Sequence, residues 1–208
     1  MNKKKMNKKT LALIIFLPLV SSVFCSASTP AKYITDCMDC HGKEGFNPEA
    51  DMPTIAGASA TYIESTLFAY KDGVRPAVTS SYRFGDTSKP ATDMKKIVDA
   101  LTDTQIAKIA NFYAKKPFIA AKQTFNQALV AKGQSVHESK CKRCHNDGGS
   151  DPYDDSGILA GQHSHYLQQS IKYYLDGSRE MDRKMRQMTE QLKAGDWDAL
   201  IAFYASQQ

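Results

Sequence analysis

Cys37-Met38-Asp39-Cys40-His41 and Cys141-Lys142-Arg143-Cys144-His145 are two copies of the pattern CxxCH, set 104 residues apart in a chain of 208. Two cysteines one helical turn apart can form thioethers with the two vinyl groups of a single porphyrin. The adjoining histidine then faces the iron with a nitrogen donor. Two such motifs imply two covalently bound haem c groups, held by Cys37, Cys40 and His41 and by Cys141, Cys144 and His145. A zinc ribbon would gather both CxxC pairs into one tetrahedral set, but its pairs normally lie closer together and need no following histidine. A thioredoxin-like disulfide expects one CxxC in a βαβ setting, and no strand pattern flanks either motif.

The N-terminus supplies the compartment. Lys3, Lys4, Lys5, Lys8 and Lys9 precede the apolar run Leu11 to Val20, which is followed by small residues including Ser26 and Ala27. That order is the pattern of a secretory signal peptide over residues 1–27, with cleavage expected after Ala27. The run is about half of the ~20 residues that a membrane span requires, so a retained anchor is the weaker alternative. Cys25, the fifth cysteine, would leave with the leader, and bulky Phe24 before it argues against a lipidation site. The other four cysteines are committed to haem, which leaves no structural disulfide. Export and c-type attachment together point to the periplasm.

The formal charge of +5 belongs to the leader. Without its five lysines the chain has 22 basic and 22 acidic residues. Such a balance gives no support to nucleic-acid binding.

The motifs also anchor an internal repeat. At the offset of 104, Ala56-Gly57 falls on Ala160-Gly161, Tyr62 on Tyr166, Tyr70 on Tyr174, Asp72-Gly73 on Asp176-Gly177 and Arg75 on Arg179. Nearer the end the offset becomes 91, pairing Leu101 with Leu192 and Phe112-Tyr113-Ala114 with Phe203-Tyr204-Ala205. Two homologous domains follow, at residues 28–117 and 118–208, with a linker at 117–132 that is expected to lie across their boundary. The change of offset gives the first copy 13 extra residues between Arg75 and Met94. Halves of roughly 90 residues have thin cores, and a buried porphyrin would fill them.

The fold class is all-α. Thr29 and Pro30 suit the cap and first position of a helix running into Cys37 to His41, and residues from about Gly133 to His145 repeat it. Ser59 to Asp72 and His163 to Asp176 form helices ended by Gly73 and Gly177. Thr102 with Gln105 makes a capping box ahead of Ile106 to Lys115, and Asp196 to Ser206 is the counterpart helix. Tyr62, Leu67 and Tyr70 fall at helical spacing and read as core or haem-edge contacts. Pro76 to Pro90, rich in Ser, Thr, Pro and Gly, reads as a surface loop.

A six-coordinate haem needs a second axial ligand, methionine or histidine. The repeat singles out Met94 and Met185, which pair at the offset of 91. Met181 and Met188 fall on Pro90 and Ile97, Met52 has Ser156 as partner, and Met38 sits inside its motif. His137, His163 and His165 fall on Tyr33, Ser59 and Thr61, so a bis-histidine haem is open only to the second copy. By default these three are exposed or haem-edge residues. Thioether sulfur favours ferrous iron and closes the site to substrate, so His/Met ligation describes a one-electron carrier rather than an enzyme.

With these residues in place, the chain resembles the cytochrome c4 family, dihaem proteins of two tandem class I cytochrome c domains related by a pseudo-twofold axis. The resemblance covers the mature chain and rests on the paired CxxCH, on Ile55-Ala-Gly57 and Leu159-Ala-Gly161-Gln162-His163, on Tyr70-Lys-Asp-Gly-Val-Arg75 and Tyr174-Leu-Asp-Gly-Ser-Arg179, and on the Phe-Tyr-Ala helix ends. It implies a periplasmic electron carrier, sometimes held at the inner membrane, working between a quinol-oxidising complex and a terminal oxidase. The cytochrome subunit of flavocytochrome c sulfide dehydrogenase looks similar and is the competing reading. A dihaem peroxidase or thiosulfate dehydrogenase is a third, against which the methionine pair argues. Two departures stand out: Pro53, where class I cytochromes often place the carbonyl that orients the proximal histidine, is matched by Gly157, and the loop before Met94 is long.

Overall fold

A computed structural model describes Met1 and residues 31–208. The signal peptide at 1–27 and the cap expected from Thr29 and Pro30 lie outside the described residues. The chain from Ala31 forms eight α-helices: α1 (Lys32–His41), α2 (Ala60–Lys71), α3 (Met94–Asp99), α4 (Asp103–Ala114), α5 (Gln127–Val136), α6 (Ser164–Leu175), α7 (Arg183–Thr189) and α8 (Asp196–Ala205). Among the described residues there is no strand, only an isolated antiparallel bridge between Ser80 and Thr92. None of the described helices is long and apolar enough to cross a membrane.

Local chemistry explains most of the boundaries. The Ser59 hydroxyl accepts the Tyr62 N–H at 3.0 Å to open α2. Both halves of the expected capping box exist, with Gln105 N–H on the Thr102 hydroxyl and Thr102 N–H on the Gln105 side chain. Gly73 and Gly177 end α2 and α6 in the left-handed region, at φ 72° and 76°. One expectation needs correction. The helix placed at Gly133 begins at Gln127, because Asn126 accepts the Ala128 N–H at 3.1 Å and caps an Ala-Leu-Val-Ala stretch of good helix formers. The connection is therefore 117–126 rather than 117–132. The same helix continues through a π-helical turn (His137–Cys141) and ends there, so Cys144 and His145 lie in the turn beyond it.

The two copies are built alike. Ile55 N–H bonds Gly45 O at 2.9 Å and Gly57 N–H bonds Tyr113 O at 3.0 Å; Leu159 N–H bonds Gly149 O and Gly161 N–H bonds Tyr204 O, each at 2.8 Å. Each set ties the segment after CxxCH to the last helix of its own copy. The first core packs Ile63, Leu67, Val98, Ile106, Ile109 and Tyr113; the second packs Leu167, Leu200, Ile201, Phe203 and Tyr204. In the second, α5 crosses α8 so closely that a Cβ on Gly133 would run into the Ala199 carbonyl oxygen.

The connection between copies is pinned rather than free. Ala121 N–H bonds Gly161 O at 2.8 Å, Gln123 Nε2 donates to Gln162 O, and Phe118 packs on Gly57. Across the boundary Gln162 acts like a strand partner: its Oε1 accepts the Thr54 N–H and its Nε2 donates to the Thr54 carbonyl, both at 2.9 Å and both buried. His163 Nε2 lies 2.8 Å from Asn47 O, its ring stacked on Phe46, and Ser59 donates to Asp155 at 2.7 Å.

Candidate functional site

Both CxxCH motifs open onto one chamber of about 1550 Å³ between the copies. Its wall carries Cys37, Cys40, His41 and Met94 from the first copy and Cys141, Cys144, His145 and Met185 from the second. All eight expected site residues are thus brought to one space. Met52, Met181 and Met188 also reach the wall. Met181 is buried, and its sulfur accepts the Thr189 hydroxyl at 3.3 Å. Met94 opens α3 behind the Asp93 cap; Met185 sits in the first turn of α7, where the Asp182 carboxylate accepts its N–H.

The proximal histidines differ. His41 is buried, with Nδ1 3.2 Å from the Pro53 carbonyl. A carbonyl can only accept, so Nδ1 carries the proton and Nε2 keeps its lone pair, the tautomer a metal requires. Burial lowers the His41 pKa and the Pro53 carbonyl opposes it. His145 Nδ1 is buried without a partner among the described residues. Burial lowers its pKa too, while Asp154 and the Gly157 backbone pull the other way. The exchange of proline for glycine has a steric cause. Gly157 lies at φ 79°, and a Cβ there would stand 2.4 Å from the Tyr62 ring of the other copy.

Burial, then Asp36, pushes Cys37 up to about 12; burial also raises Cys40 and Cys141. Among the described residues no three His, Cys, Asp or Glu side chains converge on a common point, so the two CxxC pairs do not build a shared zinc site.

Two histidine expectations are corrected. His163 is neither exposed nor a haem-edge group; it is buried on Asn47 and Phe46. His137 is fully buried against Phe203, with Nδ1 3.0 Å from the Tyr204 hydroxyl. His165 alone is exposed. Each of the buried pair answers a distant contact that local pattern does not display.

Sequence reasoning did not single out the charge at the boundary. Arg75, 6% exposed, donates from Nη2 to the Tyr166 hydroxyl at 2.7 Å and lies 4.7 Å over the Tyr70 ring. Arg179 repeats the stacking over Tyr174 at 4.4 Å. Neither arginine pairs with a carboxylate among the described residues, and Arg75 Nη1 is buried without a partner. Burial pushes Tyr166 up, but Arg75 and Arg179 outweigh it and hold the phenol at about 8. The wall therefore carries buried positive charge that calls for an anion. Haem c brings two carboxylates, so the group fits the charge as well as the thiols, the imidazoles and the apolar volume.

Known proteins share this design. The Cytochrome c family model matches residues 30–115. Cytochrome c-554(548) of Halomonas halodenitrificans is 32% identical over 40% of this chain and 87% of its own. A thiosulfate dehydrogenase electron acceptor of Thiomonas intermedia is 29% identical over 70% of this chain and 65% of its own. The solved structure of Acidithiobacillus ferrooxidans cytochrome c4 superposes with a TM-score of 0.64 at 25% identity, covering 83% of this chain and 99% of that one. The chain belongs to the cytochrome c family, as an all-α, two-domain electron carrier of the cytochrome c4 kind with two covalently bound haem c groups.

Proposed function

We propose that the protein is a periplasmic one-electron carrier, exported by residues 1–27, that takes electrons from a quinol-oxidising complex and delivers them to a terminal oxidase. Cys37 and Cys40 would hold the first haem, with His41 and Met94 as the residues that supply nitrogen and sulfur to its iron; Cys141 and Cys144 would hold the second, with His145 and Met185 in the same roles. When bound, each group supplies reversible one-electron exchange at its iron. The chain does the rest. Pro53 fixes the donor face of His41, the methionines would leave no position open to substrate, and Arg75 in the buried boundary would receive a carboxylate of the group. The observation that carries this reading is the shared chamber: each copy presents to it a thiol pair, an imidazole and a repeat-matched methionine. Met181 is set aside because its sulfur is engaged by Thr189.

The likeness to a thiosulfate dehydrogenase electron acceptor favours a second donor, a sulfur-oxidising dehydrogenase, for the same carrier. The ligand set is tested by the weak long-wavelength sulfur-to-iron band of ferric protein. Two haems' worth of intensity is expected, halved by Met94→Ala and by Met185→Ala. A band that survives both substitutions at full intensity, or no band in the parent protein, overturns the assignment.

A further inference from the structure

His137 is fully buried, and the one-electron sites described above give it no task. Its register counterpart is Tyr33, so the first copy has no equivalent imidazole. It opens the π-helical turn that carries Cys141, and the Lys142 N–H closes that turn on the His137 carbonyl at 2.9 Å. The ring is tilted on Phe203, with centroids 5.4 Å apart, and stands edge-on to Tyr204 at 5.7 Å. Its Nδ1 lies 3.0 Å from the Tyr204 hydroxyl, while Nε2 is buried with no partner among the described residues. Burial lowers the His137 pKa and so favours the neutral ring. The same Tyr204 hydroxyl hydrogen-bonds the Cys141 sulfur, where it works against the rise that burial imposes on the thiol.

The first copy has the tyrosine without this network. The Tyr113 hydroxyl is buried with no partner among the described residues, and the Cys37 thiol turns instead to the Tyr33 carbonyl at 3.4 Å.

Counting donors and acceptors fixes the direction of the protons. A sulfur in thioether linkage carries no hydrogen and can only accept, and Tyr204 has one proton to give. Given to His137, that proton leaves the sulfur unserved and forces a hydrogen onto Nε2, where it meets no acceptor. Given to the sulfur, it leaves the Tyr204 oxygen free to accept from Nδ1–H, and one lone pair on Nε2 is the single unmet group. The second arrangement wins because every buried polar group left unpaired costs free energy.

We propose that His137 is a positioning residue for the second haem: by donating to the Tyr204 oxygen it turns the hydroxyl proton onto the Cys141 thioether, and the positive end of that fixed dipole favours the reduced state of the second site. This rests on the two-haem reading above. The equilibrium concerned is one electron onto ferric iron, giving ferrous iron, with the His137 and Tyr204 protons staying in place. A dipole held in a dry interior acts with little screening and needs no reorganisation when the charge changes.

The holoprotein is titrated at a transparent electrode, with proton NMR at each poise telling the two sites apart. At a fixed electrode potential, Tyr204→Phe and His137→Phe should each lower the ratio of reduced to oxidised second site about threefold and leave the first site unmoved. The double variant should do no more than Tyr204→Phe alone, since the two residues act as one unit. His137→Asn, whose carboxamide nitrogen can stand where Nδ1 stands, should recover most of the loss. Tyr113→Phe removes a hydroxyl without a partner and should move the first site less. Additive losses, no loss from Tyr204→Phe, no recovery with asparagine or an equal shift from Tyr113→Phe overturns the proposal. The parent protein gives a test that needs no variant: nitrogen-15 spectra should place the His137 proton on Nδ1, and a proton on Nε2 overturns it. Haem is counted by the pyridine haemochrome. Fewer than two haems per parent chain would defeat the attachment reading, whereas two haems with an unmoved second site defeats only the role of His137.

Discussion

Cys37–His41 and Cys141–His145 share a motif, a histidine and a repeat-matched methionine, yet the loop before Met94 folds over the first, with the N–H groups of Arg83 and Phe84 on the Asp39 carbonyl, while Arg143 of the second is exposed. Beneath them, Pro53 bonds its histidine while Gly157 yields space to Tyr62. Duplication preserved the residues that face the chamber and released what surrounds them. The difference between the copies therefore lies in cover and support, not in the residues that the repeat matches.

Making the copies equal is the severest way to break the comparison. Gly157→Pro imposes a backbone angle that proline cannot adopt at φ 79° and drives the ring into Tyr62, so a loss of about 3 kcal/mol or more in urea unfolding is expected. The converse, Pro53→Gly, removes only chain stiffness and should cost about 1 kcal/mol or less. Equal losses would mean that Tyr62 does not set the asymmetry.

Gln162 has alanine as its counterpart, Ala58. Gln162→Ala strips both bonds from the buried Thr54 backbone and should cost about 2 kcal/mol, splitting one calorimetric transition into two as the copies uncouple. A single unshifted transition would show that the boundary holds without it. The roof should matter less. Lys89→Ala loses a surface ion pair to Asp39 and should speed amide exchange at Arg83 and Phe84 with no change at Lys142 or Arg143.

The smallest effect concerns the ends of α2 and α6. Asp176 accepts from the Ser178 hydroxyl and N–H and from Lys172, which together hold its carboxyl at about 2, below the ordinary 3.8. The folded state thus favours the ionised form, so this stabilisation is complete above the unfolded value and lost as pH falls toward 2. Asp176→Asn should lower Tm slightly at pH 7, and the gap should close on acidification. At the matching Asp72, Val74 stands where Ser178 does and offers no hydroxyl, so Asp72→Asn should leave Tm at pH 7 unchanged.

Much of this was legible from local signals. The capping box at Thr102 and the glycine stops are short patterns with one physical meaning each, and the repeat register extended the glycine stop from copy to copy. The start of α5 was misplaced because Asn126 was a cap hidden inside an expected linker. Gln162, His163 and Arg75 were beyond reach for a different reason. Each is defined by a partner 91 to 116 residues away, and no local period encodes such a pairing. Their counterparts Ala58, Ser59 and Arg179 show that the register itself could not supply the role.

The Gln162 carboxamide has one further consequence. Electron hopping weakens steeply as the gap between centres widens, so two domains on a loose tether would hop at a rate that fluctuates with every hinge motion. A side chain that hydrogen-bonds both polar groups of one residue in the opposite domain acts as a spacer of fixed length. It makes the internal transfer a property of the fold and leaves only the encounter with partners to diffusion.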